Sequence, residues 1–194
     1  KEIVLLGQNV NAYNYKDEKK ITYNISRLIE ELSKLDNIKR IRYTTSHPNN
    51  MDLELIKQHG SNEKLMPFLH LPVKSGSNKI LKKMNRKYSV DEYKKIIDQL
   101  KLYKPNIEIS SDFIVGFPGE TNNDFKSTLD LVEYVKFKQS YSFIYSERPG
   151  TKASKIFDDT SKDEKKLRLS VLQKKLEDIQ LEFNRSFCNK NITN

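Results

Sequence analysis

Five stretches of the chain alternate apolar and polar residues or run apolar throughout: "EIVLLGQ", "RIRYTTS", "FLHLPV", "IEISSDFIVGF" and "SYSFIYS". Between them lie segments whose apolar residues recur three and four apart: "TYNISRLIEELSKL", "DLELIKQH", "VDEYKKIIDQLKLY" and "TNNDFKSTLDLVEYV". In the segment after Thr22, for example, Ile25, Leu28, Ile29 and Leu32 form one stripe at helical spacing. Strands alternating with amphipathic helices of ten or so residues predict βαβ units and a parallel sheet. From Asp163 to about Arg185, Leu167, Val171, Leu172, Leu176, Ile179 and Phe183 recur among many Lys and Glu, which predicts one long surface helix. The closing "SFCNKNITN" has no periodicity.

The end of the fourth strand carries the densest signal, "SSDFIVGFPGET", Ser110 to Thr121. Period-2 alternation puts Asp112, Ile114 and Gly116 on one face and Phe113, Val115 and Phe117 on the other. Gly116 and Gly119 permit unusual backbone angles or close approach, Pro118 stiffens the loop, and Thr121 with Asp124 reads as a helix N-terminus close to a capping box. An ordinary βα connection would also fit. If the apolar strand faces meet the helices, the opposite faces offer Gln8, Arg42, His70, Asp112 and Ser142. A closed eight-stranded barrel fills its interior with branched apolar layers, so these polar groups favour a wide, incomplete barrel that holds a ligand. The plainer alternative is that Arg42 and Asp112 neutralise each other and His70 is a hydrogen-bonded core histidine. In the ligand-holding case the chemistry belongs to the loops "GQNVNAY", "TTSHP", "PVKSGS", "GFPGE" and "SERPGT".

Composition narrows the class. The 194 residues suffice for one domain with a substantial core. No run of eighteen apolar residues occurs, so no membrane-spanning helix is expected. The chain begins at Lys1 without a visible signal peptide and reads as a piece of a longer protein. Its one cysteine, Cys188, allows no internal disulfide and no multi-cysteine metal site. The sequons at Asn24, Asn184 and Asn191 matter only in a secreted protein, and a cytoplasmic location is the expectation. The net charge of +9 suits a polyanionic partner. Yet only seven of the 35 basic residues are Arg, and a lysine- and asparagine-rich chain also reflects an AT-rich genome.

The blocks "LLGQNVNAY", "IRYTTSHP", "FLHLPVKSGS", "MNRKY", "SSDFIVGFPGET" and "YSFIYSERPGT", in this order and spacing, resemble the radical SAM methylthiotransferases. "GQNVNAY" and "TTSHP" resemble the MiaB branch, whereas relatives acting on a ribosomal protein or on threonylcarbamoyl-adenosine in tRNA usually differ there. The resemblance runs from Glu2 to about Arg185. It implies an α/β fold, a partial (βα)6 TIM-like radical SAM barrel entered at its second strand and lacking the first strand and its cluster loop. Residues 1–185 would be this barrel with its C-terminal helix, and residues 186–194 a linker or the start of a TRAM domain. The implied reaction is 2-methylthiolation of N6-isopentenyl-adenosine next to the anticodon. The implied cofactors are S-adenosylmethionine and two [4Fe–4S] clusters in the full-length protein. The family's C-x3-C-x2-C loop is absent, so the 194 residues alone are expected to be inactive, with no catalytic or metal-binding residue of their own. Lys74 stands where the family usually has Gln.

The resemblance also implies site roles. Gly7, Gln8 and Asn9 take the place of the family's motif for the SAM amino group, with amide oxygens as acceptors. Ser75, Gly76 and Ser77 would serve the carboxylate or ribose, Asp112 a polar group of SAM or Arg42, and Gly116 would leave room for the adenine beside Ile114 or Val115. For a tRNA anticodon stem-loop, Lys74, Lys79, Arg86 and Arg148 lie on the loop face as phosphate contacts, Tyr13 and Tyr145 as stacking platforms, and Arg42 and His70 as further substrate contacts. The other expected partners are an electron donor and a sulfur source, with no membrane and a monomeric state. Two other readings remain open at this point: an aldolase-like (βα) barrel using "GFPGE" as a phosphate or sugar loop, and a non-catalytic RNA-binding barrel.

Overall fold

A computed structural model describes residues 1–187, which form two compact units. Unit 1 comprises residues 1–72 and 91–110, and unit 2 comprises residues 73–90 and those from 111 onward. Cys188 and the other residues of 188–194 lie outside the described residues. Among the described residues no helix is long and apolar enough to cross a membrane.

In unit 1, strand β1 (Glu2–Leu5) pairs in parallel with β4 (Arg40–Tyr43), Glu2 opposite Arg40 and Leu5 opposite Tyr43. Ile41 bridges in parallel to Leu65, and the chain continues into β5 (Phe68–His70), which pairs in parallel with residues 108–110 of β6 (Glu108–Val115). Helices α1 (Ile25–Ser33) and α2 (Leu53–Ser61) and residues 91–103 of α4 (Val90–Tyr103) belong to this unit. Their apolar stripes supply Ile25, Ile29, Leu55, Ile56, Tyr93, Ile97 and Leu100, all buried. Each such side chain stabilises the fold by roughly 1.5–3 kcal/mol relative to exposure.

The periodicity correctly foretold alternating strands and helices with parallel pairing, but it missed a short antiparallel hairpin, β2 (Asn14–Lys16) with β3 (Thr22–Asn24). The first helix therefore starts at Ile25, later than "TYNIS" suggested. Asn24 ends the hairpin and caps the helix, its side-chain oxygen accepting the Arg27 N–H at 2.9 Å.

Unit 2 contains the rest of β6, β7 (Gln139–Ile144), a short α3 (Asn78–Lys83) that the apolar pattern did not indicate, α5 (Asn122–Val135) and α6 (Lys162–Phe187). Phe113 meets Phe137 edge to face at 5.2 Å. The long C-terminal helix forms as expected, but its buried face differs from the apolar list. Leu167 and Val171 are exposed, and the stripe inside is Arg168, Leu172, Leu176 and Ile179. Among the described residues the strands do not close into a barrel.

One buried polar pair in unit 1 was not foreseen. Tyr43 Oη and His59 Nε2 are 2.6 Å apart, and both side chains are almost fully buried. Burial, helped by Lys104, pushes the His59 pKa down to about 4. The unfolded chain then binds the proton that the folded one refuses, so stability is fully present above pH ~6.5 and falls as pH drops toward ~4, by on the order of 3 kcal/mol. Chemical denaturation between these pH values is expected to show that slope in the parent chain, and His59→Gln is expected to flatten it.

Candidate functional site

Unit 2 holds the loop that follows β6. Along the strand, Phe113 and Val115 are buried while Asp112 and Ile114 are partly exposed, the alternation expected of a half-buried strand. Gly116 adopts φ +66° and Gly119 φ +76°, a region that favours glycine. The capping box is present, with Thr121 Oγ1 accepting the Asp124 N–H and Asp124 Oδ2 accepting the Thr121 N–H at 2.9 Å.

Asp124 does more than cap its own helix. Its Oδ1 accepts from Ser77 Oγ at 2.6 Å, and its Oδ2 accepts from Thr121 Oγ1 at 2.7 Å and from Lys79 Nζ at 2.9 Å. Ser77 Oγ in turn accepts the Ile80 N–H as the N-cap of α3. Burial raises the Asp124 pKa, but the donors from Ser77, Thr121 and Lys79 outweigh it and hold the carboxyl well below the usual carboxylate range.

The segment Ser75-Gly76-Ser77 lies directly on α5. A Cβ on Gly76 would stand 2.3 Å from the Ser127 carbonyl oxygen and 2.5 Å from Thr128 Cα. The Gly76 N–H donates to Thr128 Oγ1 at 3.0 Å, the Ser77 N–H to Ser75 Oγ at 3.2 Å, and Ser75 Oγ lies 3.4 Å from Thr128 Oγ1. The sequence suggested that these hydroxyls and N–H groups face a ligand. In the structure they have protein partners, and the close-approach glycine admits a helix.

Gly116 shows the same substitution of cause. A Cβ there would meet Lys165 Cγ at 2.5 Å, so a lysine stem from α6 lies against this glycine. Lys74, with φ +74°, forms a 2.8 Å ion pair with Asp112, both side chains about one-fifth exposed (19% and 21%). Asp112 therefore pairs with Lys74, while in unit 1 Arg42 Nε donates to Glu2 Oε1 at 2.9 Å. Arg42 and Asp112, which the sequence allowed as a mutually neutralising pair, each have an opposite charge within their own unit.

The remaining candidates of unit 2 divide. The Tyr145 ring packs edge-on against Phe117 at 4.8 Å and is not splayed toward solvent as a stacking platform would be. Arg86 is half-buried, and Arg148 is exposed in a turn whose carbonyl accepts from Thr151. Ser142 lines a cleft of about 390 Å³ with Tyr141, Phe143, Gln173 and Gln180, between β7 and α6.

In unit 1, Gly7 and Gln8 are exposed and Tyr13 is 40% exposed. Asn9 Nδ2 donates to Asn50 Oδ1 at 2.9 Å, while Asn9 Oδ1 is buried without a hydrogen-bond partner. Asn11 stitches the same two loops, donating to the His47 carbonyl and accepting the His47 N–H, each at 2.9 Å. His70 Nδ1 and Ser110 Oγ are 2.7 Å apart, so His70 is hydrogen-bonded in place, and no metal cluster of His, Cys, Asp and Glu forms among the described residues.

Sequence reasoning overlooked a deeply buried charged pair. Arg168 on α6 (5% exposed) donates to Glu120 Oε2 at 3.0 Å and to the Glu120 carbonyl at 2.9 Å, and Glu120 is 3% exposed. Burial raises the Glu120 pKa, opposed by the Gly116 N–H and by Arg168. A signal was present: Arg168 precedes Leu172 by four positions and so continues the buried stripe toward the N-terminus.

With this geometry in view, comparison with known proteins places the chain. The Radical SAM superfamily model matches residues 1–132, and the chain belongs to that superfamily. Among curated relatives, it is 53% identical over 192 residues to the tRNA-2-methylthio-N(6)-dimethylallyladenosine synthase of Wolbachia pipientis subsp. Culex pipiens, covering 99% of this chain and 43% of the relative. It is 55% identical over 186 residues to the synthase of that name from Rickettsia typhi (96% and 42%), and 53% over 193 residues to that of Ehrlichia canis (100% and 44%). The chain thus spans less than half the length of these relatives. Among solved structures, coproporphyrinogen III oxidase (HemN) from Escherichia coli, described as a radical SAM enzyme, aligns with TM-score 0.59 and 18% identity over 79% of this chain and 37% of that one, a likeness of fold.

The packing makes Gly76→Ala a test of the SGS segment. Its Cβ meets backbone that cannot step aside, so the substitution is expected to destabilise the chain by on the order of 3 kcal/mol in denaturant unfolding. Asp124→Ala, which leaves Ser77, Thr121 and Lys79 without their acceptor, is expected to lose a similar amount. Parent-like midpoints for both would contradict the arrangement described.

Proposed function

We propose that the chain is the radical SAM portion of a tRNA methylthiotransferase that adds a 2-methylthio group to N6-dimethylallyl (isopentenyl) adenosine beside the anticodon. The observation that carries this reading is the 53–55% identity to synthases of that name across 96–100% of the chain. The net charge of +9 suits a tRNA partner. The proposed setting is the cytoplasm and the proposed state a monomer, with an electron donor and a sulfur source as further partners.

The proposed cofactor is S-adenosylmethionine, which supplies a 5′-deoxyadenosyl radical when reduced at an iron–sulfur cluster. The protein's part is position and exclusion of water. The orphaned, buried Asn9 Oδ1 fits a hydrogen-bond donor such as an ammonium, which supports assigning Gly7, Gln8 and Asn9 to the amino group. In unit 2 the partly exposed Asp112 and Ile114 are the groups assigned to the nucleoside, with Lys74 holding the Asp112 carboxylate. The clusters do not fit this chain: its one cysteine cannot supply three thiolates, so both clusters are assigned to residues of the longer protein.

Mass spectrometry of tRNA nucleosides from a methylthio-deficient bacterium tests the reading. Expression of the full-length gene is expected to restore the 2-methylthio-isopentenyl-adenosine peak, and expression of the 194 residues alone is not. Unmodified isopentenyl-adenosine in the presence of soluble, cluster-loaded full-length protein would transfer the assignment to a sister activity on threonylcarbamoyl-adenosine or on a ribosomal protein.

A further inference from the structure

The loop after β6 is held from behind. Arg168 reaches from the second turn of α6 and places its guanidinium on both the carbonyl and the carboxylate of Glu120, at 2.9 and 3.0 Å. The same Glu120 Oε2 accepts the Gly116 N–H at 2.8 Å. The guanidinium's other edge donates to Asn122 Oδ1 at 2.8 Å, and its Nε donates to Glu164 Oε1 at 3.0 Å. One buried arginine thereby ties the first residue of the loop, its last residue and the start of α5 to a helix more than forty positions downstream. The Lys165 stem covers Gly116 from the same helix.

This arrangement is costly unless it is complete. Glu120 Oε1 is buried without a hydrogen-bond partner, so the Arg168 side is where the carboxylate is compensated. Removal of one partner from a buried charged pair leaves the other uncompensated, and the remaining charge draws in water or its neighbours move. If Glu120 moves, the Gly116 N–H loses its acceptor, at a residue in the left-handed region where β6 turns into the loop.

We infer that Arg168 is a positioning residue for cofactor binding: without touching the ligand, it fixes the Gly116–Glu120 turn through Glu120 and so holds the end of β6, where Asp112 and Ile114 are assigned to the nucleoside. The inference rests on the proposed assignment of Asp112 and Ile114 to the nucleoside of S-adenosylmethionine. Pre-organisation of a loop raises affinity by removing the ordering that binding would otherwise require. A helix that looks like a surface element in sequence is on this account part of the cofactor site.

The experiment uses the full-length, cluster-reconstituted protein and four forms: parent, Arg168→Gln, Arg168→Lys and Glu120→Gln. Amide hydrogen exchange of the 114–121 peptide and SAM dissociation constants from equilibrium dialysis are measured on each. Arg168→Gln is expected to speed exchange in the 114–121 peptide, to leave α1 and α2 unchanged, and to weaken SAM binding on the order of tenfold. Arg168→Lys, which keeps the charge but loses the fork, is expected to recover part of both effects. Should Arg168→Gln fail to fold, Arg168→Lys and Glu120→Gln carry the test, each with faster loop exchange and weaker SAM binding expected. Faster loop exchange with an unchanged SAM constant would overturn the inference while leaving the SAM reading intact, and unchanged exchange would overturn it at its first step. A parent protein that binds no SAM would overturn the reading itself and the inference with it.

Discussion

The Asp124 carboxylate is the constraint on which the arrangement of unit 2 depends. It accepts the Ser77 hydroxyl, the Thr121 hydroxyl and N–H, and the Lys79 ammonium. Each donor sits at or near a helix N-terminus, where backbone N–H groups lack intrahelical partners and the helix dipole favours negative charge. A single ionised side chain therefore sets the start of α3 and the start of α5 together. The glycine between the two serines follows from this: once Ser77 is bonded to Asp124, the chain before it runs against Ser127 and Thr128 with no room for a Cβ.

Gly116 and Gly76 share a physical logic that differs from the usual reading of glycine-rich loops. Such loops are commonly taken as ligand cradles, since a missing Cβ lets a base or phosphate approach the backbone. Here the approaching groups are the protein's own: α5 backbone at Gly76 and a lysine stem of α6 at Gly116. The partly exposed face of β6 carries Asp112 and Ile114, and in unit 1 the side-chain oxygen Asn9 Oδ1 is buried without a hydrogen-bond partner.

Particular residues show how far the sequence could be read. Alternation along "DFIV" and the Thr121–Asp124 pair are local signals, and both strand faces and the capping box formed as read. The hairpin at β2 and β3 was missed because its three-residue strands are too short to show a period, and α3 because six residues are too few for a helical stripe. Arg168 lies on a helix that the sequence pattern predicts only as a surface element. Its burial depends on Glu120, 48 positions away, and pairing at that separation leaves no mark on local periodicity. His59 was overlooked for the same reason, since its partner Tyr43 lies on a strand and the ring's low pKa arises from burial, helped by Lys104, both set by packing.

By itself the sequence determined the alternation of the longer strands and helices, the parallel α/β class and the residues at the strand ends. These follow from periodicity, caps and motif spacing, which are properties of neighbouring positions. Only the tertiary structure decided which opposite charges meet, that Arg42 goes to Glu2 and Asp112 to Lys74, and which polar groups are already satisfied within the protein. Charge pairing and burial depend on distances between residues far apart in the chain, and a distance of 3 Å between two side chains is created only when the elements that carry them have packed.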